Sequence, residues 1–435
     1  MVDVLVIGGG LAGVMAALSA QSQGAKVVLA SRSYGATALS TGALDIAFNP
    51  ALSPALQQAR TLAEHVMDLI AHRPHHPYDR MGLTTSLTAL RRGYEQLLQV
   101  LQPAGLAPPP LDLEGENLGL PASTGTVIPA GAALLPHLGI DFNRPLAGRW
   151  GVLEFLGETF HDANRLARGL AADAQTLSGS PAELIPVRVA LGERMGPMGL
   201  AALFDSPEYI DRLASALRGK MDGLAGLLVP PVLGLNDSAG ARRRLTELTG
   251  LPIVETLAHM PSVPGLRLQR ALDAAVKAKG IERCGEIAAF RAAGTELAAV
   301  TTAGGRSMAA GAYVLASGRF VSGGVVWDER GCREALFDLP VVSALGAVEA
   351  ESPLSVVRET PVESHPLLTA GVAVDAQLRP LREGRVAFAN LFAAGMILGG
   401  FASRYALCAD GVAMATGYQA GSAAVATLGG APCLA

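Results

Sequence analysis

The stretch VDVLVIGGGLAGVMAALSAQSQGAKVVLA, residues 2–30, constrains the fold more than any other part of this 435-residue chain. Val2 to Ile7 is a short, β-branched apolar run, the pattern of a strand buried on both faces of a parallel sheet. Gly8, Gly10 and Gly13 follow at G-x-G-x-x-G spacing. Gly8 permits the tight turn, Gly10 lets a phosphate approach the backbone, and Gly13 lets helix and strand pack closely. Leu11 to Ser22 then reads as an Ala-rich helix, whose first-turn N–H groups at Leu11 and Ala12 would face an anion. Gly24 ends that helix and Lys26 to Ala30 is a second strand. The glycine pattern alone is a weak signal, but strand, glycine turn, helix and strand in this order are what a dinucleotide-binding unit requires.

The end of the second strand departs from that unit. Where NAD and FAD sites place a carboxylate on a ribose, this chain has Ala30-Ser31-Arg32. Ser31 offers a weaker bond to a ribose hydroxyl, and Arg32 could pair with a phosphate or lie in solvent. Phosphate binding therefore follows from the loop, whereas adenosine binding does not.

Composition narrows the class. Half the residues are hydrophobic, 17% are charged and 51 are Gly, a profile that suits a large α/β enzyme with many close backbone approaches. The net charge of −4 is spread without basic runs, so nucleic acid is not an expected partner. Cys284, Cys332, Cys408 and Cys433 are far apart and form no CxxC, which argues against a disulfide framework, a zinc site or a cluster site in this chain. The start shows no secretory signal, so a reduced, cytoplasmic protein is expected. The apolar run 386–402 is slightly short for a span and carries Asn390, so it reads as a buried strand and turn.

Two further regions point to a flavin rather than a nicotinamide. Residues 33–45 are rich in small and hydroxyl side chains, and Ser40, Thr41 and Gly42 suit a segment lying beside an isoalloxazine ring. Ala312 to Gly318 is a second buried strand, ending in Ser317-Gly318, where the chain would pass near the cofactor. Asn390 to Gly395 reads as a late strand. In FAD enzymes an acid commonly follows its glycine, and here that residue is Met396. Gly399-Gly400 forms a turn, and a final helix begins near Gly411-Val412, its start directed at a flavin carbonyl or phosphate. The expected architecture is a Rossmann-like FAD/NAD(P)-binding α/β flavoprotein fold. Residues 1–48 and 280–435 would form the flavin domain and 49–279 an inserted cap or substrate region, with amphipathic helices near 54–72, 84–101 and 207–220.

These motifs resemble those of the flavoprotein B-subunit family of anaerobic glycerol-3-phosphate dehydrogenase. The resemblance rests on GGGLAG, on Ser40-Thr41-Gly42-Ala43-Leu44-Asp45, on His76-Pro77-Tyr78 and on MPSVPGLRL. It is most specific over YVLASGRFVSGGVVWDERGCREALFDLPV, 313–341, continues in NLFAAGMILGGF, and is loose over 104–225. It implies a flavin protein of a three-part complex that oxidises sn-glycerol 3-phosphate to dihydroxyacetone phosphate. The implied partners are the other two members of that complex: one contains FAD, and the other carries iron–sulfur clusters that lead electrons to quinone. The chain itself would be peripheral to the inner face of the membrane, held there through the complex. The resemblance implies FMN and the glycine loop suits FAD. It leaves open whether this chain oxidises substrate or only relays electrons.

Oxidation of a secondary alcohol needs a proton acceptor and cations for the substrate phosphate. Arg267 and Arg319 are the candidate anion ligands, with Arg330 and Arg333 weaker, and His76 is the candidate base, with His365 of similar standing. Structural roles compete at each of these positions. Two other functions remain open on the sequence: a stand-alone flavoprotein acting on another hydroxy acid or enoate, and a non-catalytic flavin-fold scaffold.

Overall fold

The computed structural model describes residues 2–48, 60–158, 160–192, 195–329, 331–343, 346–347, 365–402 and 407–429. Its centre is a five-stranded parallel sheet of β1 (Val2–Ile7), β2 (Val27–Ala30), β3 (Glu282–Cys284), β4 (Ala310–Leu315) and β5 (Leu391–Ala393). The strand order is β3-β2-β1-β4-β5, with β1 between β2 and β4. That order reverses direction at β1, which places the binding crevice outside the carboxyl ends of β1 and β4. The apolar run 386–402 is indeed β5 followed by a short 3₁₀ turn, and among the described residues no helix is long and apolar enough to cross a membrane.

Four helices position the crevice: α1 (Leu11–Ser22), α2 (Leu83–Leu101), α3 (Val263–Ala278) and α4 (Ala409–Leu428). Helix α1 is buried almost all round, because it lies between the sheet and α4. Small residues permit this. A Cβ on Gly13 would stand 1.9 Å from the Gly8 carbonyl oxygen, and one on Gly417 would stand 2.5 Å from that of Ala12. The two backbones therefore touch where side chains would ordinarily hold them apart.

The packing divides the chain differently from the expected 49–279 insertion. Helices 62–72, 77–81 and 83–101 bury Leu62, Val66, Tyr78, Leu90, Tyr94 and Leu97 in the same core as the parallel sheet. Amphipathic spacing shows that a helix has an apolar face but not which sheet covers it. Residues 140–263 form two smaller cores around a second parallel sheet of 149–155, 184–189, 224–229 and 253–255. The expected helices over 84–101 and 207–220 are found at 83–101 and 207–217, and of 54–72 the part from 62 is helical, while 50–59 lies outside the described residues.

Candidate flavin site

At the carboxyl end of β1 the chain turns through Gly8, whose φ of +127° is open to glycine but strained for other residues. Gly10 then caps α1 without any side chain, so the helix start is left to other partners. The Leu11 N–H donates to the Thr37 hydroxyl at 2.9 Å. A Cβ on Gly10 would approach Thr37 Oγ1 to 3.1 Å, and one on Gly9 would approach Ser31 Oγ to 3.1 Å. Thr37 and Ser31 thus stand as hydroxyl walls over the glycine loop. Thr37 lies inside the hydroxyl-rich stretch, but nothing in the sequence separated it from its neighbours.

The end of β4 forms the opposite wall. Ser317 Oγ is buried and has no hydrogen-bond partner among the described residues. Gly324 makes room for it, since a Cβ there would lie 2.6 Å away. Gly318, with φ +73°, and Ser322 complete that turn. A buried hydroxyl without a partner and a glycine-lined helix start whose Gly10 cap offers no side chain fit a phosphate-bearing cofactor: its oxygens would take first-turn N–H groups beyond Leu11 and the hydroxyls of Ser317 and Thr37.

The Ser40-Thr41-Gly42 segment is fixed by its surroundings. The Ser40 carbonyl accepts from Ser262, the Thr41 carbonyl accepts from the Ala258 N–H at 2.8 Å, and the His137 ring packs directly on Gly42. His137 is the residue that demands glycine there, because a Cβ would fall 2.2 Å from its Nε2. Its Nδ1 meets the Glu255 carbonyl at 3.1 Å, and Nε2 has no partner among the described residues. Burial holds His137 down to about 4, so it is neutral at pH 7.

The late glycine turn and the start of α4 correct part of the expectation. The Gly411 N–H donates to the Asp45 carbonyl and the Val412 N–H to that of Cys408, both at 2.8 Å, while the Val412 side chain is core. Neither N–H is left for a flavin carbonyl. Met396 is half-buried against the main core, Gly395 donates to Thr416 Oγ1, and Gly400 lies against the His75 carbonyl. These positions shape the turn by packing rather than by presenting donors.

The expected catalytic residues also fall into structural roles. Arg267 is buried and spends its guanidinium on both Glu255 oxygens and on the Gly234 and Leu233 carbonyls, so it cannot double as the substrate-phosphate ligand. His76 caps the helix 77–81: its Nδ1 accepts the Tyr78 N–H, and Nε2 lies 3.5 Å from Cys408 Sγ. Burial, then Arg73 and Arg319, push it down to about 3, which removes it as a base near neutral pH. His365 caps the helix 366–369 in the same way. Arg333 pairs with Asp328 and Asp338 on a surface hairpin, and Arg330 lies outside the described residues. Arg319 is different. It is buried over the Phe401 ring, donates to the Leu368, Leu398 and Phe401 carbonyls, and burial lowers it only to about 10. It therefore brings a full positive charge beside the turn.

Sequence reasoning missed one titratable pair. The Asp45 N–H donates to Asp410 Oδ2 at 3.1 Å, which brings the two carboxyl groups together at the start of α4. Burial raises both, Asp45 to about 7 with repulsion from Asp410 added, and Asp410 to about 6. The pair therefore retains a proton into the neutral range.

The family described as "FAD binding domain" matches residues 3–122 and 202–412. The chain belongs to that family. It is a flavin-dependent oxidoreductase of α/β fold, and its cofactor is a flavin, with FAD the family's form. It is 27% identical to the B subunit of anaerobic glycerol-3-phosphate dehydrogenase from Vibrio cholerae serotype O1, over 98% of this chain and 97% of that protein. It is 29% identical to the protein of that name from Pectobacterium carotovorum, over 95% and 96%, and 28% identical to the probable one from Halobacterium salinarum, over 97% of each. Among solved structures, the open conformation of a flavocytochrome c3 fumarate reductase superposes with a TM-score of 0.41 at 12% identity, over 98% of this chain and 78% of that one.

Proposed function

We propose that this flavoprotein is a subunit of a glycerol-3-phosphate dehydrogenase complex. It would take part in oxidising sn-glycerol 3-phosphate to dihydroxyacetone phosphate, with electrons leaving through an iron–sulfur partner to quinone at the membrane. The observation that carries this reading is end-to-end relatedness to proteins bearing that name, together with a loop and hydroxyl walls suited to a flavin.

The residues divide the work as follows. The start of α1, Thr37 and Ser317 hold the cofactor's phosphate. Ser40, Thr41 and Gly42 line the ring, with the His137 imidazole closing the side behind Gly42. When bound, the flavin supplies the two-electron acceptor that turning an alcohol into a ketone requires. Arg319 favours negative charge developing nearby, and its carbonyl cage keeps the guanidinium in place. The Asp45–Asp410 pair can hold the hydroxyl proton, since its raised affinity lies close to working pH.

The test is reduction of a dye acceptor by sn-glycerol 3-phosphate, using the chain alone and the chain copurified with its partners. Reduction that requires glycerol 3-phosphate supports the reading. Failure of the intact complex with this substrate, alongside turnover of another hydroxy acid, would sink it.

A further inference from the structure

Arg267 is committed to Glu255, but the second parallel sheet carries other candidates for a substrate anion at its carboxyl end. Its strands run in the order Ile253–Glu255, Leu224–Val229, Arg149–Phe155, Leu184–Val189. From Arg149–Phe155 the chain passes through helix Ala163–Ser178 to the neighbour on one side. From Leu224–Val229 it passes through helix Ser238–Thr249 to the neighbour on the other. The two helices cover opposite faces, with Leu166 and Leu170 in one small core and Leu245 in the other. The connections therefore diverge between these two strands, and a crevice lies outside their carboxyl ends.

That end of the sheet is joined to the segment assigned to the flavin ring. Residues 256–259 continue the strand Ile253–Glu255. The Leu257 carbonyl accepts from the Ser123 hydroxyl at 2.9 Å, and the Ala258 N–H donates to the Thr41 carbonyl at 2.8 Å. Thr256 Oγ1 is buried there with no partner among the described residues.

His161 stands on the connection that leaves Arg149–Phe155. It is 2% exposed, and neither ring nitrogen has a hydrogen-bond partner among the described residues. Buried polar groups are rarely left so unless a ligand or water meets them. The charge-bearing groups that act on it are His259 and Arg165, both exposed, and Asp162. Asp162 turns its carboxylate to the start of the helix, where it accepts the Arg165 N–H at 3.0 Å. The Arg165 guanidinium reaches the Ser123 carbonyl at 3.5 Å and forms no ion pair among the described residues. Burial, then His259 and Arg165, push His161 down to about 3, a penalty that a bound anion would relieve.

We propose that His161 and Arg165 hold the phosphate of the substrate, a small phosphate monoester, in this crevice. His161 donates an imidazole N–H to a phosphate oxygen, and Arg165 supplies the compensating charge. This rests on the glycerol-3-phosphate reading and deepens it, since it gives the substrate phosphate a site that Arg267 cannot offer. His161 and Arg165 both fall between the two stretches matched by the FAD-binding family, 3–122 and 202–412. The pair therefore suits a determinant of substrate rather than of cofactor.

The test is calorimetric titration of the flavin-loaded chain with sn-glycerol 3-phosphate, inorganic phosphate and glycerol. The wild type should bind both phosphates and take glycerol about tenfold more weakly or worse. His161→Phe keeps a ring and deletes its nitrogens. It should weaken both phosphates about tenfold, yet keep the flavin content and the melting temperature, because no protein partner is lost. Arg165→Gln, at an exposed position, should weaken both about fivefold. A wild type that binds inorganic phosphate through His161 but does not reduce dye with sn-glycerol 3-phosphate would keep this site and sink the glycerol-3-phosphate reading. A wild type that binds neither phosphate, or unchanged affinity in both variants, would overturn the proposal. So would a His161→Phe chain that sheds flavin and melts early while Arg165→Gln binds like the wild type.

Discussion

Arg267 and Glu255 form a two-point ion pair, 2.5 Å and 3.1 Å between guanidinium and carboxylate oxygens, with side chains 3% and 0% exposed. Glu255 also accepts the Leu233 N–H at 2.6 Å, so this carboxylate, at the end of strand 253–255, joins α3 to the loop that follows strand 224–229. Removing one partner strands the other charge in the interior. Arg267→Met should cost about 3–5 kcal/mol in unfolding free energy, measured by urea titration. A variant that unfolds like the wild type but loses affinity for a phosphorylated substrate would restore Arg267 as a ligand.

The Thr37 hydroxyl accepts the Leu11 N–H at the helix start. Thr37→Val keeps the shape and deletes the oxygen. It should lower flavin affinity about five- to tenfold, by the usual worth of a hydrogen bond, with little change in melting temperature. Flavin retained per chain after gel filtration provides the readout, and undiminished retention would remove Thr37 from the cradle.

His76 is a cap and not a titrating base. Asn can accept the Tyr78 N–H in its place, so His76→Asn should keep stability within about 1 kcal/mol, whereas His76→Ala should lose about that much or more. Neither should remove a step near pH 6.5 from the activity profile, because the ring is already neutral there. Loss of such a step in His76→Asn would contradict this.

The Asp45–Asp410 pair carries a definite pH dependence. Both groups are raised in the folded chain, so the folded state binds more protons than the unfolded one as pH rises above about 4. Stability from this pair is complete below the unfolded value and is lost as pH climbs through about 6 and 7. Asp410→Asn removes the repulsion. It should therefore gain stability relative to wild type at pH 8 and lose that advantage at pH 4, by thermal melting at the two pH values. Comparison with the variant cancels the opposite trend from buried His76, His137 and His161, each of which favours the folded state above pH 6.5.

Local features of the site were legible in the sequence and distant partners were not. The order β1, glycine turn, α1, β2 follows from apolar runs and glycine spacing within thirty residues, and the strands at 310–315 and 391–393 follow from their own composition. Arg267 looked like an anion ligand because its role depends on Glu255, Leu233 and Gly234, which only folding brings against it. Val412 and Gly411 looked like donors at a helix start because nothing local reveals that Asp45 and Cys408 already use their N–H groups.

The most direct test of the account is to purify the chain, precipitate it and chromatograph what is released. The account predicts a yellow protein that yields a flavin in equimolar amount. A colourless chain that takes up neither FAD nor FMN on incubation would contradict it.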